Sequence, residues 1–197
     1  MTLLNRKFVL VTLLACGLAR IAVGAEATGL SLIKDANEYV GKEARDHIVQ
    51  VRSEKSINTL TPNIWYIVFY DPDATFKASE VKFEAGRKKE MKRPMRMLEY
   101  AKADKVIDRD KVKVDSDEAI RTATAEPLLK NLTLKATQLW LDTNLKPDLS
   151  VTGPIWKVRI WAARLANPND NVDVGDVYVS AETGKVVSSD LHINRVD

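Results

Sequence analysis

Pro62-Asn63-Ile64-Trp65-Tyr66-Ile67-Val68-Phe69-Tyr70 and Gly153-Pro154-Ile155-Trp156-Lys157-Val158-Arg159-Ile160-Trp161 are two versions of one pattern. Aligned at Ile-Trp, they match Trp65 to Trp156, Ile67 to Val158, Phe69 to Ile160 and Tyr70 to Trp161. Each is a β-branched and aromatic run with a proline near its start, which is how a strand with a defined beginning reads. Downstream, Glu80-Val81-Lys82-Phe83-Glu84-Ala85-Gly86 resembles Asp176-Val177-Tyr178-Val179-Ser180-Ala181-Glu182-Thr183-Gly184. Both alternate apolar and polar residues and then meet a glycine suited to a tight turn. Tryptophan and the turn alanine are 20 residues apart in the first copy and 25 in the second, the surplus falling in the loop-like Asn167-Pro168-Asn169-Asp170-Asn171.

A helical pattern precedes each strand set. Leu32, Ile33, Ala36, Val40 and Ala44 recur at helical spacing after Ser31, the predicted N-cap. Asp115-Ser116-Asp117-Glu118 caps a second helix carrying Ala119, Ile120 and Ala123, with Pro127 as its limit. Short strands follow at Ile48–Arg52 and Leu132–Leu141, so each unit reads helix, strand, strand, strand. The predicted class is therefore α+β: two units, each a helix packed on its own small antiparallel sheet. The units occupy residues 28–101 and 115–197, joined by the highly charged stretch 102–114.

The second unit resembles a PepSY domain in Asp117-Glu118-Ala119, in Trp156-Lys157-Val158-Arg159 and in the strand and turn from Val177 to Val187. The first keeps the tryptophan strand but has Ala85-Gly86-Arg87-Lys88-Lys89 where that turn would stand. The resemblance implies a cystatin-like helix laid across a curved sheet. It also implies a non-enzymatic role, since PepSY modules are thought to bind or restrain peptidases and other envelope proteins. It brings no catalytic residues to carry over.

At the other end of the chain, Arg6 and Lys7 precede an apolar run from Phe8 to Ala19, and small residues follow up to Ala25 and Ala27. A basic start, a short apolar core and a small-residue cleavage site make a secretory signal over residues 1–25. The run is too short to span a bilayer. Leu13-Leu14-Ala15-Cys16 also resembles a lipobox, although an apolar tether would then follow Cys16. A periplasmic or secreted location is the expectation, by soluble release rather than lipidation. Removal of residues 1–25 takes away the only cysteine and also Arg6, Lys7 and Arg20, which account for the whole formal charge of +3. A neutral exported chain gives no reason to expect nucleic acid as a partner, and one without cysteine excludes disulfides and thiol chemistry.

Reactive constellations are scarce. His47 and His192 stand far apart in sequence, unlike the paired histidines of a zinc motif. Asn169, Asn171 and Asp173 alternate as calcium ligands do, but Val174 stands where the loop needs glycine and Ser180 where it needs glutamate. No catalytic residue, metal or cofactor is predicted. Arg87, Lys88, Lys89, Lys92, Arg93 and Arg96 form one basic run, read either as a solvated edge or as a contact for anionic head groups or an acidic partner. On the first tryptophan strand, Tyr66, Val68 and Tyr70 make the second face apolar as well, whereas Lys157 and Arg159 hold that face in the second copy. Tyr66, Val68, Tyr70 and Trp161 are therefore the candidate protein-binding residues, for an envelope or secreted partner. The rival function is a small-molecule or lipid carrier with a pocket between helix and sheet.

Overall fold

Thr28 opens the first helix. Its hydroxyl accepts from the Ser31 backbone N–H, while the Ser31 hydroxyl accepts from the Thr28 N–H at 3.0 Å, a capping box that satisfies both ends of one turn. The N-cap is therefore Thr28, and Ser31 is the residue that closes the box. The helix, α1, spans Gly29–Asn37. It stops there because the Asn37 amide turns to Asp46, donating to its carboxylate and accepting from its N–H, both at 2.9 Å. Val40 and Ala44 are buried as predicted positions but come from the following turn and a short 3-10 segment, not from the helix.

The computed structural model describes residues 27–143 and 153–196; the predicted export signal, with Cys16, lies outside them. After α1 come strands β1 (Ile48–Ser53), β2 (Ile64–Tyr70), β3 (Ala78–Glu84) and β4 (Arg87–Lys92). Helix α2 (Ser116–Thr124), capped by Asp115, is followed by β5 (Leu132–Asp142), β6 (Ile155–Arg164), β7 (Val172–Ser180) and β8 (Val186–Leu191). Each helix thus precedes four strands rather than three. The basic run forms the added edge strand β4, reached through a two-residue turn in which Ala85 and Gly86 both have positive φ.

All eight strands join in a single sheet of order β4-β3-β2-β1-β5-β6-β7-β8. Every pairing is antiparallel. This overturns the expected pair of cystatin-like or PepSY-like units, each with its own sheet. The physical cause is the seam between β1 and β5, where Val51 pairs with Leu141 and Arg52 with Trp140. Beyond that short ladder side chains join the backbone: the Ser53 hydroxyl accepts from the Leu139 N–H and the Ser56 hydroxyl from the Thr137 N–H, both at 2.9 Å, while the Ser56 N–H donates to the Thr137 carbonyl at 2.8 Å. At the other end of the seam the Gln50 amide donates to Asp142 at 3.1 Å.

One apolar core lies under this sheet. It joins Leu32, Ile33 and Ala36 of α1, Ala119, Ile120 and Ala123 of α2, and the strand residues Ile67, Phe69, Leu139, Val158 and Ile160. Trp65 and Trp156 are buried within it, their ring N–H groups donating to the Pro62 and Val114 carbonyls at 3.0 and 2.9 Å. The helix N-termini meet between the two rings. Asp115 accepts from the Thr28 hydroxyl at 2.5 Å and from the Leu30 N–H at 3.0 Å, and the Gly29 N–H donates to the Ser116 hydroxyl at 2.9 Å. A Cβ on Gly29 would come within 2.9 Å of the Trp156 ring, so glycine is what permits this approach. The charged stretch 102–114 is tied to both halves: the Ile107 N–H donates to the Ile48 carbonyl at 2.7 Å, and the Lys113 and Val114 N–H groups to the Ala181 carbonyl at 2.9 Å.

Candidate functional site

With both helices on one side, the other side of the sheet is where function has room. Successive side chains of a strand point to opposite faces, so residues paired across strands share a face. The pairings Lys82–Tyr66, Tyr66–Arg52, Arg52–Trp140, Trp140–Lys157 and Lys157–Tyr178 therefore make one continuous row, from β3 to β7. Cation and aromatic alternate along it without a break.

The contacts within the row are close. The Arg52 guanidinium lies 4.1 Å and the Lys82 ammonium 5.2 Å from the Tyr66 ring centre. Lys157 sits 4.1 Å from the Trp140 ring, with Arg159 at 5.8 Å. Such contacts contribute roughly 0.5–1 kcal/mol each at exposed sites and more when desolvated. Carboxylates hold the cations in place. Arg159 makes a two-pronged pair with Asp176 at 2.8 and 3.1 Å, which raises its already high pKa. The Tyr66 hydroxyl donates to Glu54, and Arg52 pairs with the buried Glu80. Burial against this row lowers the Lys157 pKa, an effect only partly offset by the nearby Asp176.

Towards the β4 edge the face is covered. The chain after β4 doubles back, and Leu98 and Ala101 pack on Val49, Val68 and Ala78 in a second, smaller apolar cluster. Between this strap and the sheet is a cleft of about 530 Å³, lined by Arg52, Lys92, Arg93, Arg96, Glu80 and Tyr100 together with apolar strap residues. Lys92 reaches Glu80 at 3.0 Å, and Arg93 reaches the buried Asp71 at 3.2 Å. Burial raises the Tyr100 pKa, keeping its hydroxyl a donor. Arg52 stands in both the row and the cleft.

The four candidate contact residues are not one patch. Tyr66, Val68 and Tyr70 do share a face of β2, but Val68 has no accessible surface beneath Leu98 and Ala101. Tyr70 is half-buried beside that cluster, its ring 6.5 Å from the His47 ring. Tyr66 is half-buried within the row, and Trp161 lies three strands from it, roughly 14 Å across the sheet, with Lys55 stacked at 4.3 Å. Trp140, Arg52 and Lys157 lie outside the four predicted contact residues. A sequence signal existed for Trp140, since Leu139-Trp140-Leu141 is apolar on both faces just as β2 is; for Arg52 the partner is visible only once the register is known.

His47 has its Nδ1 2.9 Å from the Glu43 carbonyl oxygen, and His192 lies 3.3 Å from Asp190, each serving its own local turn. Among the described residues no cluster of three or more histidines, cysteines and carboxylates could hold a metal ion. The space lined by α1 and sheet residues such as Leu30, Ile33, Ile48 and Leu141 is about 80 Å³, well below the several hundred of a typical ligand pocket. Among the same residues no helix is long and apolar enough to cross a membrane.

Comparison with known protein families, curated proteins and solved structures finds no match to this chain.

Proposed function

We propose that this is an exported, non-enzymatic protein that works by binding another envelope or secreted protein across the open sheet face. The observation that carries the proposal is the unbroken row Lys82–Tyr66–Arg52–Trp140–Lys157, backed at its far end by the buried Tyr178. Aromatic and arginine side chains held rigid by neighbours are the residues that dominate protein interfaces, because little conformational entropy remains to be lost on binding. The carboxylates beside them give the face both signs of charge, which suits selective docking on a protein better than a uniform field would. The likeness of the second half to PepSY modules makes a secreted peptidase the first partner to try.

A carrier function in a helix–sheet pocket is the weaker alternative, because the space there is small. The test is affinity capture from envelope extract with the full chain and with Tyr66→Ser and Trp140→Ser. Each variant is expected to lower recovery of the partner by about tenfold or more, in line with loss of an aromatic anchor. Equal recovery by all three proteins would remove the face from consideration.

A further inference from the structure

A different surface stands apart from the aromatic row. The strap after β4 exposes Met95 at 90% and Met97 at 75%, the two most exposed large apolar side chains described. They alternate with Arg93 and Arg96, and the adjoining strand contributes the exposed Arg87, Lys88, Lys89 and Lys92, with Glu90 the only acid in the run. A solvated edge accounts for the lysines, which discourage sheet-to-sheet pairing. It does not account for two bare methionines beside them, nor for a cleft in which Arg52, Lys92, Arg93 and Arg96 outnumber Glu80 and the Asp71 that holds Arg93. Among the described residues Arg96 has no ion-pair partner, so the cleft keeps a positive excess that Glu80 and Asp71 do not neutralise.

We infer that the β4 edge and its strap form a peripheral docking site for an anionic phospholipid surface. Met95 and Met97 enter the interfacial region, and a headgroup phosphodiester is received by Arg96 and the rim of the cationic cleft. Flexible thioethers flanked by cations are suited to that boundary: the apolar chains leave water while the charges stay at headgroup level. Lipid fits this surface better than an acidic protein, since Met95 and Met97 are bare apolar tips set among the cations and Met95 stands at the rim of the cleft that would receive the headgroup. The site is separate from the aromatic row except at Arg52.

The experiment is co-sedimentation of the full chain with vesicles of phosphatidylcholine alone and of equal parts phosphatidylcholine and phosphatidylglycerol. Binding through the leader, whose Arg6, Lys7 and Arg20 also favour anionic lipid, is common to all variants, so the comparison between variants carries the test. Binding is expected to be stronger to the anionic vesicles and to weaken with salt. Arg96→Gln should lower the anionic preference by about fivefold, the effect of one cation near such a surface. Met95→Ser combined with Met97→Ser should weaken binding to the anionic vesicles while leaving the melting temperature unchanged. Three results would each overturn the inference: no preference between vesicle types, equal binding by the variants, or displacement by inorganic phosphate that saturates at constant ionic strength. The last would make the cleft a site for a soluble anion. Partner recovery by Tyr66→Ser is read separately, so this proposal and the protein-binding one fail independently.

Discussion

Asp115 does more than cap its own helix. Its carboxylate accepts from the Ser116 N–H at 2.6 Å and also from the Thr28 hydroxyl and the Leu30 N–H, so one side chain serves the first turns of both helices. Replacing a capping aspartate with alanine costs about 1 kcal/mol, and leaving a second helix's donor unpaired adds a similar amount. Asp115→Ala is accordingly expected to lower stability by about 2 kcal/mol, measured as a shift of the urea midpoint. A shift no larger than an ordinary surface substitution would mean that the bridge to α1 contributes nothing. The capping role was legible, because Asp115-Ser116-Asp117-Glu118 is a local signal. The reach to Thr28 was not, because nothing local places those two residues side by side.

At the level of elements, the β3–β4 turn carries a mismatch. Ala85 has φ of 48° and Gly86 of 75°, the pairing a type I′ hairpin turn requires, and alanine is a poor fit to the first position. Asparagine tolerates that conformation, so Ala85→Asn is expected to raise stability by about 0.5–1 kcal/mol, seen as a higher melting temperature. A fall in melting temperature would show that the Ala85 side chain contributes in a way its backbone angle does not suggest. Strand existence was readable from alternation in β6 and β7, and in β2 from a β-branched and aromatic run with a proline near its start. The pairing of β4 is not legible, because Arg87-Lys88-Lys89-Glu90-Met91-Lys92 has almost no apolar period; its partner β3 supplies the ladder that its own composition does not encode. The second apolar face of β2 was readable too, and so was the need for a cover, yet which segment covers it depends on Leu98 and Ala101 folding back over Val68.

For the whole molecule, the repeated helix-and-strand order was visible in sequence while the single sheet was not. The seam rests on two paired strand positions, one further backbone bond from Ser56 to Thr137, and serine and glutamine side-chain contacts between residues some 80 to 90 positions apart. No periodicity reports such a join. Its consequence is cooperative behaviour: Trp65 and Trp156 sit in one core with α1 and α2 between them. Unfolding by urea is therefore expected to be a single transition, coincident by tryptophan fluorescence and far-ultraviolet circular dichroism. Two separated transitions would mean that the halves are stable without each other and that the seam is only a surface contact.

The same seam bears on how the chain is made. Synthesis runs from the N-terminus, so β1 to β4 can assemble while β5 is still unmade, and β1 then presents an unpaired inner edge carrying Val49 and Val51. A nascent chain stalled between the halves would offer that edge to any neighbour in the same condition, and two truncated chains could pair through β1 as the finished protein pairs β1 with β5. Pairing of β5 with β1 thus acts as the chain's own protection against sticking to its siblings.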